Sequence, residues 1–260
     1  MRIAFIGDIV GNPGRRTIGE FLPEYRKLKK IDFVAANAEN AVSGSGLTYA
    51  AAQELFKSGV DIITMGNHTW SKKEILSFID TENRIIRPAN YPDKNPGKGC
   101  VALNVNNIRI SVLNIMGRVF MEALDCPFLT ADREIAYLKT VSDIIIVDFH
   151  AEATSEKNAM GYYLDGRVAA VVGTHTHIQT ADERILPQGT AYITDVGMTG
   201  PYYSILGVKK DIIINKFLTH IPERFEVATG DVQLNAVIID IDENTFKVKN
   251  IERVFEKYSF

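Results

Sequence analysis

Four of the five histidines in this 260-residue chain follow short apolar runs, where a polypeptide is expected to leave a sheet for an exposed loop. The densest instance is Gly173-Thr174-His175-Thr176-His177, directly after Val168-Ala-Ala-Val-Val172. Two histidines at i and i+2 would point the same way from an extended strand, because successive side chains alternate between faces. A turning loop would instead fan them toward two neighbouring cations. Imidazole is the commonest neutral metal ligand, and its borderline softness leaves Zn, Fe, Mn, Ni and Cu all open. His68 and His150 follow two other apolar runs, Asp61-Ile-Ile-Thr-Met65 and Ile144-Ile-Ile-Val-Asp-Phe149, whereas His220 falls elsewhere. The His-x-His pair alone does not define a site.

Oxygen donors stand at the remaining strand ends. Asp8 closes the opening run Arg2-Ile-Ala-Phe-Ile-Gly7, Glu39 and Asn40 follow Phe33-Val-Ala-Ala36, and Asn67 precedes His68. Taken singly, each has an ordinary counterpart: a hydrogen-bonded histidine, a carboxylate capping a helix, a turn asparagine. Taken together they bring carboxylate oxygen, amide oxygen and imidazole nitrogen to one rim. That is ligand capacity for two divalent cations, with a carboxylate able to bridge them.

The elements that must position these residues read as β-α-β-α-β over the first 65 residues. After the first strand, Gly11-Asn12-Pro13-Gly14 reads as a turn, and 15–30 carries helical spacing through Ile18, Phe21, Leu22, Tyr25 and Leu28. A loop over 43–46 precedes a helix that Thr48 would cap. Polar residues at each strand tip argue for one multi-ligand site along one edge of a sheet. Further on, 71–79 fits a short helix, and 99–105 with 108–115 a hairpin about Asn106-Asn107. A helix over 130–141 leads to the His150 strand, a helix over 155–164 to the His175 strand, and a strand follows at 191–195. Strands at 234–241 and 246–254 close the chain. No internal repeat, low-complexity tract or linker interrupts it, so residues 1–260 are expected to form a single domain.

Composition sets outer bounds. The chain is 46% hydrophobic and 23% charged, as ordinary soluble globular proteins are. A formal net charge of −3 and a pI near 6.0 leave no electrostatic footprint for non-specific nucleic-acid binding. No secretory leader pattern opens the chain and no apolar stretch would span a membrane. Cys100 and Cys126 lack metal or disulfide spacing. The expectation is a reduced, cytoplasmic, enzyme-sized protein, with self-association into a homo-oligomer left open.

The motifs also carry a resemblance. Gly7-Asp8, Gly66-Asn67-His68 and Gly173-Thr-His175-Thr-His177 look like the Gly-Asp, Gly-Asn-His and Gly-His-x-His blocks of the calcineurin-like metallophosphoesterases. The chain is most similar to the YmdB-like phosphodiesterase branch, through the Gly-Asp-Ile-Val-Gly-x-Pro-Gly-Arg opening, Asn-Ala-Glu-Asn, Thr-Met-Gly-Asn-His-Thr-Trp, Asp-Phe-His-Ala-Glu-Ala-Thr-Ser-Glu-Lys, Gly-Thr-His-Thr-His and Thr-Asp-Val-Gly-Met-Thr-Gly-Pro. Val10 replaces the histidine of the wider superfamily's Asp-x-His, and Glu39-Asn40 its bridging aspartate block; both replacements are normal in this branch. The resemblance implies an α/β fold, the layered αββα sandwich with mixed sheets. It implies that Asp8, Glu39, Asn40 and His177 hold one metal and Glu39, Asn67, His150 and His175 the other, Glu39 bridging. His68 would be the acid–base residue. The metals implied are iron, with Mn, Mg or Zn as substitutes, and the substrates are cyclic nucleotides, 2′,3′-cyclic AMP among them and 3′,5′-cyclic forms in addition.

General chemistry agrees with that division of labour. Two cations about 3.5–4 Å apart clamp the attacking and leaving oxygens of an in-line displacement and acidify a bridging water. His68, next to ligand Asn67 but itself free, would protonate the leaving alkoxide. Arg118, after the strand ending at Ile115, is a candidate phosphate contact that an exposed loop arginine would equally explain. Glu152 and Ser155 are candidates to orient His150, Ser155 otherwise capping the following helix. Tyr162, Tyr163, Tyr202 and Tyr203 would either stack a nucleobase or pack in the core. Two alternatives stand beside the phosphodiesterase: a phosphomonoesterase using the same site, and a regulatory metal-binding protein with incidental turnover.

Overall fold

The computed structural model describes residues 1–259. Its first sheet is built on β1 (Arg2–Ile6), β3 (Phe33–Asn37), β4 (Ile62–Thr64) and β5 (Ile85–Ile86), laid side by side and parallel after the short β2 (Asp8–Ile9) has turned away. The second is built on β6 (Cys100–Val105), β7 (Ile108–Met116), β8 (Ile144–His150), β9 (Ala170–Thr174), β10 (Arg184–Ile185) and β11 (Ala191–Ile193), in the order β10-β11-β9-β8-β7-β6. β12 (Met198–Pro201), β13 (Val232–Ile241) and β14 (Val248–Tyr258) return to the first sheet, β13 running antiparallel to β1 and β12 pairing parallel with β2. Both sheets are therefore mixed. Parallel strands need crossover connections, and five helices supply or flank them: α1 (Gly11–Leu28), α2 (Tyr49–Lys57), α3 (Pro127–Val141), α4 (Thr154–Tyr163) and α5 (Lys210–Thr219).

Strand alternation creates the layers. Ile3 and Phe5 of β1, Phe33 and Ala35 of β3, and Ile62 of β4 face Ile110, Val112, Ile144, Ile146, Ala170 and Val172 of the second sheet, forming the seam between the sheets. Their neighbours Ala4, Ile6, Val34, Ala36 and Ile63 face Ile18 and Leu22 of α1 and Leu55 of α2. On the far side Leu113, Ile115, Ile145, Val147 and Phe149 meet Ile135 and Leu138 of α3 and Met160 of α4. Strands buried on both faces read as continuous apolar runs, as these do. The result is the αββα sandwich expected.

Several local expectations hold. Asn106 and Asn107 adopt φ values of 53° and 66° at a two-residue hairpin turn, where the mirror-image turn suits strand twist. Thr48 caps α2, its side chain accepting from Ala51 N–H at 3.4 Å. Others change. Residues 11–14 are not a turn before the helix but its first turn: Gly14 N–H already bonds Val10 O at 3.0 Å, and Pro13 is tolerated because first-turn N–H groups have no partner inside the helix. The helix expected over 71–79 is a 3₁₀ turn, Lys73–Ser77. The polar tips do not line one sheet edge. β2, β3 and β4 bring theirs from the first sheet, β8 and β9 from the second, so the rim straddles the seam.

Candidate metal centre

Glu39, buried in the turn after β3, is the hub of the rim. Its Oε1 lies 3.1 Å from His150 Nε2 and 3.3 Å from His68 Nδ1, while its Oε2 accepts from the His68 N–H at 2.7 Å. His150, at the end of β8, turns Nε2 toward three acceptors at once: Glu39 Oε1, Asn67 Oδ1 at 3.0 Å and His175 Nδ1 at 3.1 Å. The ligand atoms of Glu39, His150 and His175 lie within 4.8 Å of one another. A second grouping adjoins it. His177 Nε2 lies 3.7 Å from Asp8 Oδ1 and 3.1 Å from Asn40 Nδ2, which is also 3.4 Å from Glu39 Oε1.

The far nitrogens explain why the near ones are available. His150 Nδ1 lies 2.9 Å from Thr174 Oγ1, whose hydroxyl donates to Asp148 Oδ1 at 2.7 Å. With its proton engaged there, the imidazole presents a bare lone pair at Nε2. His177 likewise gives Nδ1 to Leu206 O at 3.1 Å. His175 is turned the other way, with Nδ1 in the cluster and Nε2 3.1 Å from Glu152 Oε2. Carboxylate, amide oxygen and imidazole lone pairs thus converge without enough protons to pair them. That donor set fits a divalent cation.

Local backbone makes the convergence possible. β9 stops at Thr174, and His175 and His177 take φ values of 101° and 65°, so the two imidazoles leave the strand in different directions. A strict strand would not have separated them. Gly66 allows the closest approach: a Cβ there would run into both the His150 imidazole and the Glu39 carboxylate.

Electrostatics follow the crowding. Burial alone would raise the Glu39 carboxyl, but His150 and His68 hold it well below its usual range. Burial raises the Asp8 carboxyl, with His177 and His150 opposing. His150 is pushed up to about 9, against its burial, by Glu39, Asp8 and Asp148. The field that would protonate His150 is one a metal cation could satisfy instead, so a metal bound here would compete with the proton. Burial, then the proximity of His150, depresses His175 to about 3.

Asp8, Glu39, Asn40, Asn67, His68, His150, His175 and His177 are brought together, with two refinements. Asp8 sits inside β2, paired beside Met198, rather than at the tip of β1. Asn40 accepts at Oδ1 from His68 Nδ1 at 2.7 Å and turns Nδ2, which cannot ligate a cation, toward the acidic groups. The amide's two ends are alike in shape, and a half-turn exchanges them. Arg118 stands apart from the cluster, exposed, on a loop joined to it by the Gly117 N–H donating to His150 O at 3.0 Å. Glu152 faces His175, not His150. Ser155 lies inside α4, whose N-cap is Ala153. Tyr162, Tyr163 and Tyr203 are exposed rather than core.

Sequence reasoning missed the supports. Asp148 interrupts the apolar run of β8, and a carboxylate at a doubly buried strand position is the signal that would have found it. Lys157 and Asp195, both buried, carry no periodic signal at all.

Two mixed sheets faced by helices, with carboxylates, amides and imidazoles converging at one strand-end rim, define the metallophosphoesterase class. Within it, the chain belongs to the YmdB-like protein family, whose profile matches residues 4–254. It is 54% identical to the 2′,3′-cyclic-nucleotide 2′-phosphodiesterase of Bacillus subtilis, over 98% of this chain and 96% of that one. A Thermus thermophilus protein of known structure superposes with a TM-score of 0.94 at 41% identity, covering 99% of each chain. A solved phosphatase of Mycoplasma pneumoniae does so at 0.94 and 38% identity, over 100% of this chain and 94% of that one.

Proposed function

We propose that this protein is a metal-dependent phosphodiesterase that opens cyclic nucleotides, 2′,3′-cyclic forms first and 3′,5′-cyclic forms in addition. The observation that carries the reading is the convergence of His150 Nε2, His175 Nδ1 and Asn67 Oδ1 on Glu39, with the opposite nitrogen of His150 tied to the Thr174 hydroxyl. Asp8, Glu39, Asn40 and His177 would hold one ion; Glu39, Asn67, His150 and His175 would hold the other. When bound, such ions supply charge neutralisation for the anionic diester and an acidified water. Iron is the first assignment, with Mn, Mg and Zn as substitutes.

His68 is the acid–base residue in this reading. It is part-exposed beside the buried ligands, and its hydrogen bond to Glu39 raises its pKa, favouring the protonated form that a leaving alkoxide needs. Arg118 is assigned to the substrate phosphate, from the loop next to His150. We further read residues 1–260 as one domain working in the cytoplasm, alone or as a homo-oligomer. Its support is that Cys100 and Cys126 are free, and no helix among the described residues is long and apolar enough to cross a membrane.

The test is turnover of 2′,3′-cyclic AMP, bis-p-nitrophenyl phosphate and p-nitrophenyl phosphate by anaerobically purified protein whose metals are counted. Metal-dependent hydrolysis of the cyclic nucleotide is expected. Faster turnover of the monoester than of both diesters would replace this reading by a phosphomonoesterase, which the name of the Mycoplasma pneumoniae relative favours.

A further inference from the structure

The loop that carries His175 and His177 is costly to form. Both histidines sit in the left-handed region of backbone space, which β-carbon-bearing residues adopt only when their surroundings impose it. What imposes it lies directly beneath. Lys157 of α4 and Asp195, just past β11, form an ion pair of 2.6 Å, their side chains 1% and 0% exposed. Neither charge is spent on the other alone. Lys157 Nζ also donates to Thr174 O at 2.6 Å, and Asp195 Oδ2 also accepts from Thr176 N–H at 3.0 Å. The two charges therefore grip the backbone on both sides of His175, and Thr176 is also the residue that precedes His177.

The pair is itself held from below. Asp195 Oδ1 accepts from Gly197 N–H at 2.8 Å, and its own N–H donates to Thr180 Oγ1 at 2.9 Å. Thr174, whose carbonyl Lys157 grips, is also the residue whose hydroxyl meets His150. Burying an ion pair costs desolvation of both ions, so it gives little stability that an apolar pair would not match. A pair kept at this depth, with one further hydrogen bond from each partner on the histidine loop, does more than hold the core together.

We propose that Lys157 and Asp195 are positioning residues for metal binding: they clamp the main chain at Thr174 and Thr176 and so hold His175 and His177 apart in ligating directions. The inference rests on the metal-centre reading above. The adjacent Glu156 sharpens it by contrast. Its buried carboxylate accepts from the backbone N–H groups of Arg118 and Val119 at 3.0–3.2 Å, on the other side of the rim, and does not touch the histidine loop.

The experiment is calorimetric titration of Mn²⁺ into the full chain, stripped of metal with a chelator, alongside thermal unfolding. Three proteins are compared: wild type, Lys157→Met/Asp195→Asn and Glu156→Gln. The double variant removes both charges together, leaving no unpaired buried ion. Its Mn²⁺ affinity is expected to fall by about 10–100-fold, the usual effect of losing groups that orient metal ligands. Glu156→Gln is expected to lower the melting temperature and leave Mn²⁺ affinity near wild type. Should the double variant not fold, Asp195→Asn alone keeps the shape but loses one of the two acceptor positions, and about a tenfold loss is expected. Wild-type affinity in the folded clamp variant, or an equal loss in Glu156→Gln, overturns the clamp while the metal centre stands. A wild-type chain that binds no Mn²⁺, Zn²⁺ or Fe²⁺ overturns the metal-centre reading, and the clamp with it.

Discussion

The two ends of the parallel strands use the same residue types in opposite ways. At the starts of the strands, each carboxylate has a donor of its own. Asp32 accepts from Arg2 N–H, Asp61 from Val34 N–H and Asp143 from Arg109 N–H, each at 2.8 Å, while Arg2 reaches Asp240 at 2.7 Å and Arg26 reaches Asp61 at 3.0 Å. These groups are part-exposed or exposed, open to solvent. At the ends of the strands, Asp8, Glu39 and Asp148 are fully buried; the Thr64 and Thr174 hydroxyls meet Asp148, whereas Glu39 faces His150 Nε2, whose opposite nitrogen already holds its proton against Thr174. The first rim is satisfied within itself. The second is satisfied only in part, and the shortfall is positive charge. Acidic residues near strand ends are thus uninformative until their donors are counted.

Breaking the Glu39 hub tests that contrast hardest. Glu39→Gln is expected to remove metal and turnover together, at a cost above the ~10²–10⁴-fold typical of losing a general acid–base group. Metal content and activity both near wild type would show that the hub holds no ion. Next comes His68→Ala, expected to lower turnover by about 10²–10⁴-fold with metal content unchanged. A parallel fall in metal would make His68 a ligand rather than a proton donor. Third, stripping the metals should lower the melting temperature, and restoring Mn²⁺ at 100 times its dissociation constant should return about 2.7 kcal/mol of stability. A melting curve indifferent to Mn²⁺ would mean that the buried acceptors are paired some other way.

The opposite rim should barely respond. Asp240→Asn removes a part-exposed pair worth below about 1 kcal/mol. The Asp240 carboxyl is depressed by its hydrogen bond to Arg2, so the pair's contribution is present above the unfolded carboxylate value near pH 4 and is lost as pH falls through the lower folded value. Differential unfolding of wild type and Asp240→Asn between pH 7 and pH 2 reads this directly. The gap should close on acidification; one that widens toward low pH has the wrong sign.

Much of this was legible in advance. Strand alternation and doubly apolar runs identified β1, β3, β8 and β9, because burial on two faces leaves a composition that can be read locally. The cluster residues were legible because donors of metal-ligand type recur at the ends of those runs. The two- to four-residue strands β2, β5, β10 and β12 were not, since nothing so short carries a period. The start of α1 was misread because glycine and proline suit a helix's first turn as well as a loop.

By itself the sequence determined the residue types of the rim, the strands that carry them and the layered class of the fold, all of which depend on residues near one another in the chain. Tertiary structure alone decided which tips meet. The His175 N–H donates to Asp8 Oδ2 across 167 positions, and that meeting depends on which strands neighbour one another across the seam. It also decided that Glu152 faces His175, that the Asn40 amide is shared with His68, and that Lys157 and Asp195 bond the main chain on either side of His175. Periodicity tells a side chain which face to bury; only the packed sheets tell it what it will find there.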